Sequence, residues 1–284
     1  MILIADSGST KTDWCVVENG KIVQQIFSNG INPFYQTESE IRFEIEQNLA
    51  PQLRGLVIHN IYFYGAGCSF PEKKAMVSNA LGQFFKDTPI EVQSDLLGAT
   101  RGLLLNNEGI ACILGTGSNS CYYNGSEIVS NVSPLGYILG DEGSGAVLSK
   151  IFVADCLKNQ VSEKTKNAFF DKYQLTPATI MENVYKKPFP NRYLAQFAPF
   201  LSENINQQEV YNIVYNGFVS FFERNIQQYP YQKLATSFVG SVAFHLKDVL
   251  ELAAQQCGVK IGKIVKSPME GLVEYHRPLT PKGE

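Results

Sequence analysis

The chain opens with short runs of apolar and β-branched residues that are separated by turn-forming pairs. Three such runs cover residues 2–6, 13–18 and 21–28, and Asn19-Gly20 stands between the second and the third. Asn-Gly between two runs of this kind favours a tight hairpin turn, because both residues tolerate a positive φ. The pattern therefore predicts that the chain begins with an antiparallel meander of three strands.

Helical and strand patterns alternate after this meander. Residues 37–53 place Ile41, Ile45 and Leu49 on one face of a predicted helix. Further strands and helices are then predicted in alternation over residues 60–67, 71–85, 89–94 and 96–105. Such alternation is typical of an α/β fold, in which helices pack on a sheet.

The opening pattern then recurs. A second set of three strands is predicted over residues 109–114, 119–123 and 127–132. A Gly/Ser/Thr turn at 115–118 joins the first two, and Asn124-Gly125 joins the last two. When Asp6 is aligned with Gly115, the order of parts matches the opening, although the second hairpin is shorter. A repeat of this length indicates an internal duplication into two similar domains rather than a solenoid.

The repeat predicts an N-terminal domain over residues 1–107 and a C-terminal domain, with a helical insertion, over residues 108–284. Additional helices are predicted over residues 141–158, 163–173, most of 178–228, and 243–257. Strands are predicted over residues 236–240 and 261–266. The last predicted helix, 269–275, either belongs to the second domain or packs back on the first.

Composition and charge exclude several classes of function. Hydrophobic residues make up 44% of the chain and charged residues 18%, and the net charge is −3. An acidic chain without a basic patch has no electrostatic basis for binding nucleic acid. No apolar run approaches the ~20 residues of a membrane helix, and the N-terminus lacks a signal-peptide pattern. We therefore expect no membrane partner and a cytoplasmic location.

The cysteine and histidine positions do not predict a structural metal site. Six cysteines are present without a Cys-x-x-Cys pair, and three histidines lie far apart in the sequence. Neither spacing matches a zinc site. We expect the thiols to act as small buried hydrophobic groups.

Two turns rich in Gly, Ser and Thr, at residues 7–12 and 115–118, each join two predicted strands. Glycine lets backbone N–H groups come close to an anion, so such turns can bind phosphates. Because each turn leads into a strand and not a helix, it is neither a Walker A nor a Rossmann loop. A single turn of this kind is weak evidence, whereas two in matching positions indicate a site for a polyphosphate.

Two carboxylates stand at the ends of predicted strands. Asp6 is placed to hold a hydrated Mg²⁺, or else it satisfies the amides of its own turn. Asp95 precedes a predicted helix at the carboxyl end of a strand, where open α/β sheets bind ligands. It is either a proton acceptor for an attacking hydroxyl or only the N-cap of that helix.

A third segment, Gly-Asp-Glu-Gly-Ser-Gly at residues 140–145, precedes an apolar helical run. Asp141 could cap that helix, and Glu142 would favour the positive end of its dipole. The flanking glycines also suit a backbone that approaches a ligand. From the residues alone, a helix cap and a ligand contact are equally compatible with this segment.

Together these motifs resemble those of a known family. Asp-Ser-Gly-Ser-Thr-Lys-Thr-Asp at 6–13, Ser94-Asp95, Gly-Thr-Gly-Ser-Asn at 115–119 and Leu-Gly-Tyr-Ile-Leu-Gly-Asp-Glu-Gly-Ser at 135–144 occur in the order seen in N-acetylglucosamine kinases. These kinases belong to the BadF/BadG/BcrA/BcrD ATPases within the sugar kinase/heat-shock-70/actin superfamily. The resemblance implies two duplicated actin/ribonuclease H-like domains with a nucleotide cleft between them.

The resemblance also implies that the chain uses ATP and Mg²⁺. Asp6 would hold Mg²⁺ through water, and Gly240 and Ser241 would approach the nucleoside. Residues implied to bind the phosphates are Gly8, Ser9, Thr10 and Lys11 in the first turn and Gly115, Thr116 and Gly117 in the second. The implied reaction is transfer of the ATP γ-phosphoryl group to a small-molecule sugar.

On the sugar side, the resemblance implies that Asp95 is the general base for the 6-hydroxyl of N-acetylglucosamine or a related amino sugar. Asn32, Gly136 and Asp141 match sugar-binding positions. Leu135 replaces an aromatic residue of the vertebrate-type pattern, and Phe34 replaces another. These changes alter the expected acyl pocket and leave glucosamine and N-acetylmuramic acid as further candidates.

Two other classes of function stay open. The same family includes activator ATPases of CoA-ester dehydratases and reductases, which hold an iron–sulfur cluster through cysteines. Leu96 and Leu97 occupy the stretch where one of those cysteines lies. A non-catalytic sensor of sugar or nucleotide is the third class, and the presence of both Asp6 and Asp95 argues against it. The resemblance also implies a homodimer as one oligomeric state.

Overall fold

A computed structural model describes residues 1–8 and 10–277 of the 284-residue chain. The chain divides into two compact units. Unit 1 comprises Met1–Asn107 and the segment that begins at Ser267, and unit 2 comprises Glu108–Lys266. Each unit is built around a sheet of five strands with helices packed on it.

The sheet of unit 1 has the order β3-β2-β1-β4-β5. Its strands are β1 (Ile2–Ser7), β2 (Lys11–Glu18), β3 (Lys21–Asn29), β4 (Asn60–Gly65) and β5 (Ile90–Ser94). The first three strands form the predicted antiparallel meander, and β4 and β5 run parallel to β1. The chain alternates strand and helix through α1 (Glu38–Glu44), α2 (Pro71–Gly82) and α3 (Asp95–Leu104).

The predicted helix over residues 37–53 is shorter as an α-helix than the pattern indicated. After α1 the chain continues as a π-helical turn, Ile45–Leu49, and a 3₁₀ turn, Ala50–Leu53. Pro51 cannot donate a backbone hydrogen bond, which favours the change from α-helical geometry before it. The predicted apolar face is correct, since Ile41, Ile45 and Leu49 are all buried.

Unit 2 has a sheet of the order β10-β9-β6-β7-β8. Its strands are β6 (Glu108–Leu114), β7 (Ser118–Asn124), β8 (Ile128–Ser130), β9 (Thr236–Val239) and β10 (Ile261–Val265). Its helices are α4 (Gly136–Leu139), α5 (Gly145–Leu157), α6 (Glu163–Tyr173), α7 (Pro177–Tyr185), α8 (Pro190–Ala195), α9 (Ala198–Glu203), α10 (Gln208–Arg224), α11 (Ser241–His245) and α12 (Lys247–Gln256). A large core rich in phenylalanine joins these helices to the sheet.

One predicted helix begins later than expected. The pattern predicted a helix over residues 141–158, but α5 begins at Gly145 and Ser144 is its N-cap, accepting a hydrogen bond from Val147 N. Asp141 and Gly143 both have positive φ, at 54° and 72°, which α-helical backbone does not allow. The capping role considered for Asp141 is therefore wrong.

The last helix, α13 (Met269–Tyr275), packs against α3 and β1 within unit 1. Met269, Leu272 and Val273 are buried against Ile4 and Val17 on one face of the sheet. A pair of glycines allows the close approach, because a Cβ on Gly271 would lie 1.8 Å from the carbonyl oxygen of Gly102. In the part of the chain that the structure describes, no helix is long and apolar enough to cross a membrane.

The two sheets have the same topology, which demonstrates the duplication. In each, an antiparallel meander of three strands is followed by two strands parallel to its first strand. In both turns the first glycine donates the closing backbone hydrogen bond, Gly8 N to Lys11 O and Gly115 N to Gly117 O, both at 3.0 Å, and the second turn is one residue shorter.

This correspondence corrects the alignment made from sequence. The turn that follows Ser7 in unit 1 follows Leu114 in unit 2, so Gly8 is the counterpart of Gly115. Asp6 therefore corresponds to Ile113, two residues before the glycine with which it was aligned. The alignment from sequence was shifted because the residue patterns do not specify at which residue the strand pairing ends.

Candidate active site

The predicted functional residues of unit 1 lie at one edge of its sheet. Asp6 is the penultimate residue of β1, and Asp95 follows directly after β5. Because β1, β4 and β5 are parallel, their carboxyl ends meet at the same edge, where open α/β sheets bind ligands. Asn32 follows β3, which runs in the direction of β1, so it belongs to this edge as well.

Asp6 is held in a setting that disfavours its negative charge. Burial, together with the charges of Asp95 and Asp13, raises its pKa to about 7, while Lys11 lowers it in part. Within residues 1–8 and 10–277, no hydrogen bond reaches its carboxylate. The sequence interpretation that Asp6 merely satisfies turn amides therefore has no support in this part of the chain.

Asp13 lies directly opposite Asp6 on β2 and differs from it in having a partner. Both of its carboxylate oxygens accept hydrogen bonds from Gln25 Nε2, at 2.8 and 3.0 Å. Two opposed carboxylates on neighbouring strands repel each other. Both oxygens of Asp13 are occupied by its amide partner, so Asp6 is the carboxylate with oxygens open to a cation.

Asp95 is the first residue of α3, but Ser94 is the N-cap. The Ser94 hydroxyl accepts a hydrogen bond from Leu97 N at 3.2 Å. Asp95 Oδ1 accepts one from the neighbouring Leu96 N at 2.9 Å. Burial raises the pKa of Asp95 to about 6, with backbone hydrogen bonds lowering it in part. The interpretation of Asp95 as only the helix cap is wrong, because another residue performs that role.

The first turn exposes its functional groups. Thr10 and Lys11 are exposed, and the Thr10 carbonyl accepts a hydrogen bond from Gly30 N at 3.1 Å. The Lys11 ammonium group lies 5.1 Å from the centre of the Phe27 ring. Ser9 was also predicted to bind phosphate, and it lies outside the described residues.

A buried hydroxyl pair fixes the base of this turn. Ser7 Oγ lies 2.7 Å from Thr12 Oγ1, and it accepts a hydrogen bond from Ile31 N at 3.0 Å. Both hydroxyl-bearing side chains are fully buried. The pair therefore joins the ends of β1 and β2 to the loop that carries Asn32.

Asn32 is 95% buried, with 5% of its surface exposed. Its Oδ1 accepts a hydrogen bond from Phe34 N at 3.0 Å, while no hydrogen bond from Nδ2 is present within the described residues. Gly67, in the loop after β4, has a φ of 78°, and a Cβ there would lie 2.1 Å from Asn32 Oδ1. At position 67 only glycine leaves room for the Asn32 side chain. The Asn32 Nδ2 donor is then available for a ligand.

In unit 2 the second turn is joined to a helix start. Gly145 N donates to Gly115 O at 2.8 Å, and Ala146 N donates to Thr116 O at 3.1 Å. A Cβ on Gly115 would meet nothing within 4 Å, so the space beside this backbone is open. The carbonyl groups of the turn are thus used within the protein, and its open side can receive a ligand.

Asp141 lies beside this turn. Its Oδ1 accepts a hydrogen bond from Ser118 N at 3.3 Å, and a Cβ on Gly117 would lie 3.1 Å from its Oδ2. Burial raises the pKa of Asp141 to about 6; the Ser118 N–H lowers it and the charge of Glu142 raises it. Gly136 begins α4 with a φ of 74° and open space around its Cα. The structure thus brings Gly117 and Asp141 together.

Gly240 occupies a position that no other residue could take without strain. Its φ is 126°, and a Cβ would lie 2.2 Å from the Leu114 carbonyl oxygen at the end of β6. The next residue, Ser241, is exposed at the start of α11. Gly240 therefore lets the β9–α11 turn lie against the strand that leads into the phosphate-binding turn predicted at Gly115.

A cavity of about 350 Å³ adjoins the Gly115 turn and the start of α11 in unit 2. Gly115, Thr116 and Ser241 line it, so three residues predicted to contact ATP share one cavity. Residues of the helical insertion also line it, among them Pro199 and Ser202 of α9. Its volume lies in the range of ligand sites, about 300–1,000 Å³.

Several residues of the site were not found from sequence. Ser7, Thr12 and Gly67 act by contacts between loops that are distant in sequence, and the α9 wall comes from a segment without a motif. Glycine at 67 beside a strand end was the only signal available, since it indicates a close backbone approach. The wall of the cavity had no sequence signal that we can name.

Comparison with solved structures places the chain among proteins of the same fold. A putative N-acetylglucosamine kinase from Porphyromonas gingivalis is 48% identical, with a TM-score of 0.96, over 98% of this chain and 99% of that chain. A putative N-acetylglucosamine kinase from Chromobacterium violaceum is 16% identical, with a TM-score of 0.72, over 97% and 99%.

The MreB 5 protein of Spiroplasma citri, solved with bound AMPPNP, has a TM-score of 0.61 at 8% identity, over 97% of this chain and 96% of that chain. This likeness confirms the predicted two-domain α/β fold of the actin-like ATPases. No family model matches the chain, and the comparison with curated proteins also gave no match.

Proposed function

Because this chain belongs to the N-acetylglucosamine kinase-like family of actin-like ATPases, we propose that it transfers the γ-phosphoryl group of ATP to a hydroxyl of an amino sugar. The family predicted from the sequence motifs is thereby confirmed. N-acetylglucosamine is the proposed acceptor and its 6-hydroxyl the proposed position.

The observation that carries the proposal is the pair of carboxylates at the edge of the unit 1 sheet. Asp6 and Asp95 come from different strands, and the charge of Asp95 raises the pKa of Asp6. No side-chain hydrogen bond to either carboxylate is present within the described residues. Phosphoryl transfer to an alcohol uses one carboxylate for a metal ion and one for a proton, and this pair supplies both.

The residues present fit Mg²⁺. Asp6 offers the hard oxygen ligand that this ion prefers, and a cation beside it would offset the repulsion from Asp13 and Asp95. When bound, Mg²⁺ would neutralise charge on the phosphate oxygens. Asp6 would hold it through water.

The residues of unit 2 fit ATP. Gly115 presents an open backbone, and the cavity beside it has a size suited to a small ligand. We propose that Gly115, Thr116 and Gly117 bind phosphate groups and that Gly240 and Ser241 approach the nucleoside. In unit 1, Gly8, Ser9, Thr10 and Lys11 have the proposed role of binding the β- and γ-phosphates.

Asp95 would act as the general base. Its pKa of about 6 leaves the carboxylate mostly ionised at neutral pH, so it can accept a proton from the attacking hydroxyl. The hydrogen bond from Leu96 N fixes one carboxylate oxygen. The other oxygen is available for the sugar hydroxyl.

Three residues have proposed contacts to the sugar. Asn32 offers its Nδ2 donor, Asp141 its carboxylate, and Gly136 an open backbone. Phe34, 60% exposed beside Asn32 in the sequence, provides an apolar surface for an acyl group. An acetyl group on the sugar nitrogen suits such a surface better than a free ammonium group does.

The test is ADP release with Mg-ATP against N-acetylglucosamine, glucosamine, N-acetylmuramic acid and glucose. The proposal predicts release that depends on an amino sugar, with N-acetylglucosamine giving the highest kcat/KM. Hydrolysis that no sugar stimulates would favour the activator ATPase class instead. Binding of ATP without any turnover would favour a sensor.

A further inference from the structure

The loop that carries Gly136 and Asp141 has an unusual concentration of left-handed backbone. Within this segment, called the Asp141 loop (residues 131–144), Leu135 has a φ of 59° and Asp141 a φ of 54°. Gly136 and Gly143 are also in the positive-φ region. A non-glycine residue in this region costs free energy and persists only when its surroundings hold it.

Contacts inside the loop set its shape. Asp141 N donates to Pro134 O at 2.8 Å, and Gly140 N donates to Gly136 O at 2.8 Å. A Cβ on Gly140 would lie 2.1 Å from Pro134 O, so this closure requires glycine. These bonds define a compact loop but do not attach it to the rest of unit 2.

Besides the bond from Ser118 N to Asp141 Oδ1 and one from Lys150 Nζ to Tyr137 O at 2.6 Å, the end of α10 and the residues after it attach the loop. Arg224 Nε lies 2.6 Å from Glu142 Oε1, and Asn225 Nδ2 donates to Glu142 Oε2 at 3.3 Å. Glu142 is the residue after Asp141, and its side chain is only 16% exposed. Both of its carboxylate oxygens are therefore held by one short segment of the helical insertion.

A second attachment holds the start of the loop. The buried Tyr229 hydroxyl accepts a hydrogen bond from Val132 N at 2.7 Å and donates to Ser120 O at 3.0 Å. This oxygen links the loop to β7, which follows the Gly115 turn. The segment 224–229 thus holds both the first residues of the loop and the residue beside Asp141.

We propose that Arg224 and Tyr229 are positioning residues for sugar binding, acting through the Asp141 loop. The inference rests on the proposed function, in which Asp141 contacts the sugar. The Arg224–Glu142 pair fixes the strained Asp141–Glu142 backbone, and Tyr229 fixes the loop at Val132. The helical insertion then has a function in binding the sugar acceptor, although its sequence contains no motif that predicts this function.

The alternative is that the Arg224–Glu142 pair is an ordinary surface ion pair. Such pairs contribute little, and the Arg224 side chain is 62% exposed. Two facts distinguish this pair: its carboxylate is mostly buried, and it has a second donor in Asn225. A matched control exists in Lys187 and Glu182, an exposed ion pair on and beside α7 with no contact to the loop.

The experiment compares Arg224→Ala, Arg224→Lys and Tyr229→Phe with the control Lys187→Ala. Steady-state kinetics give the KM for sugar and for ATP separately, and hydrogen exchange reports on peptides covering residues 131–144. We expect Arg224→Ala and Tyr229→Phe to raise the sugar KM by roughly tenfold while the ATP KM stays within about twofold. Exchange in the loop should be faster, Arg224→Lys should be intermediate, and Lys187→Ala should match the wild type.

The inference is overturned if sugar KM and loop exchange in Arg224→Ala and Tyr229→Phe both equal those of Lys187→Ala. Faster exchange with an unchanged sugar KM overturns it too, since the loop would be released without an effect on the acceptor. Failure of the proposed function is separate, because it would show as wild-type protein without sugar-dependent turnover. In that case loop exchange alone still decides whether Arg224 and Tyr229 hold the loop.

Discussion

Unit 1 and unit 2 share one topology and differ in the charge carried at the same edge of the sheet. In unit 1 the second opposed pair from the turn is Asp6 and Asp13, whereas the corresponding pair in unit 2 is Ile113 and Asn119. Each turn that follows is closed by a backbone hydrogen bond from its first glycine, to the third residue after it in unit 1 and to the second residue after it in unit 2. The two copies therefore keep the same strand pairing, while the turn of unit 2 is one residue shorter and the side chains beside the turns differ.

The difference indicates a division of roles under the proposed function. Unit 1 has the partly buried carboxylates needed for a cation and for a proton, and burial, followed by the charge of Asp95, raises the pKa of Asp6. At the corresponding strand ends unit 2 carries Ile113 and Asn119 instead, and its turn presents open backbone at Gly115 beside a cavity of about 350 Å³. Backbone N–H groups that face open space suit phosphate groups, because they can donate hydrogen bonds to an anion.

The largest expected effect on turnover comes from Asp95, the proposed general base in unit 1. Asp95→Asn keeps the size of the side chain but removes its capacity to accept a proton, so turnover should fall by roughly 10² or more. Binding of nucleotide and sugar, measured by calorimetry, should be retained. Asp87→Asn, the same change at an exposed position in unit 1, is the matched control. Equal turnover in the two variants would remove Asp95 from the mechanism.

A smaller effect is expected from the metal-binding position. Asp6→Ala should reduce kcat/KM for Mg-ATP by roughly tenfold or more and raise the Mg²⁺ concentration needed for half-maximal rate, with the sugar KM less affected. In unit 2, Asn119→Asp adds a carboxylate at the counterpart of Asp13 and should leave the Mg²⁺ dependence unchanged. A Mg²⁺ titration of both variants decides this, and an unaltered curve for Asp6→Ala contradicts the assignment.

Substitutions of two glycines of unit 2 should have different effects, one on protein stability and the other on ATP binding. Gly240→Ala should lower the free energy of unfolding by about 2–4 kcal/mol, because the methyl group meets the Leu114 carbonyl and φ is unfavourable. Gly115→Ala meets open space, so the melting temperature should stay within about 1 °C while the KM for ATP rises several-fold. Thermal unfolding and kinetics on both variants test this, and a destabilised Gly115→Ala would count against the open turn.

The smallest expected effect is a pH dependence confined to unit 1. Burial, and then the charge of Arg101, lower the pKa of His276 to about 4, while Glu91 raises it in part. Tyr64 Oη lies 2.8 Å from His276 Nε2, and Tyr62 stacks on the imidazole ring. The unfolded chain takes up a proton near pH 6.5 and the folded chain only near 4, so acidification between these values favours unfolding.

We expect protonation of this imidazole in the unfolded chain to lower the free energy of unfolding by up to roughly 2 kcal/mol as the pH falls from 6.5 to 4. This value is smaller than the full pKa shift would give, because the ring is partly exposed to solvent. Denaturant unfolding of wild type and His276→Gln at several pH values measures it. His276→Gln should lose part of the acid-induced decrease in stability. His59→Gln, a change at an exposed histidine, should show the same decrease as the wild type. An identical pH dependence in His276→Gln and wild type would contradict the assignment.

The sequence predicted the strands and hairpins well because their causes are local. Asn19-Gly20 and the Gly/Ser/Thr turns specify chain reversals through the conformations that these residues tolerate. The positions of Asp6 and Asp95 at strand ends followed from the same patterns. The duplication was also visible, since both copies keep the order of strand, turn and strand.

What could not be predicted depends on contacts between distant segments. Gly67 and Asn32 meet because β3 and β4 end at the same edge, which no local pattern specifies. The start of α5 was placed too early because Asp and Ser are both good caps, and the positive φ values of Asp141 and Gly143 exclude a helix start before Ser144. The contacts of Arg224 and Tyr229 to the Asp141 loop likewise join segments about 80 to 100 residues apart, beyond the reach of local sequence patterns.

The most direct test of the central proposal is identification of the phosphorylated product by ³¹P and ¹³C nuclear magnetic resonance. The protein is incubated with Mg-ATP and N-acetylglucosamine until ADP has accumulated. The account predicts one phosphomonoester on the sugar 6-oxygen in an amount equal to the ADP formed. Unmodified sugar together with ADP and inorganic phosphate would contradict it.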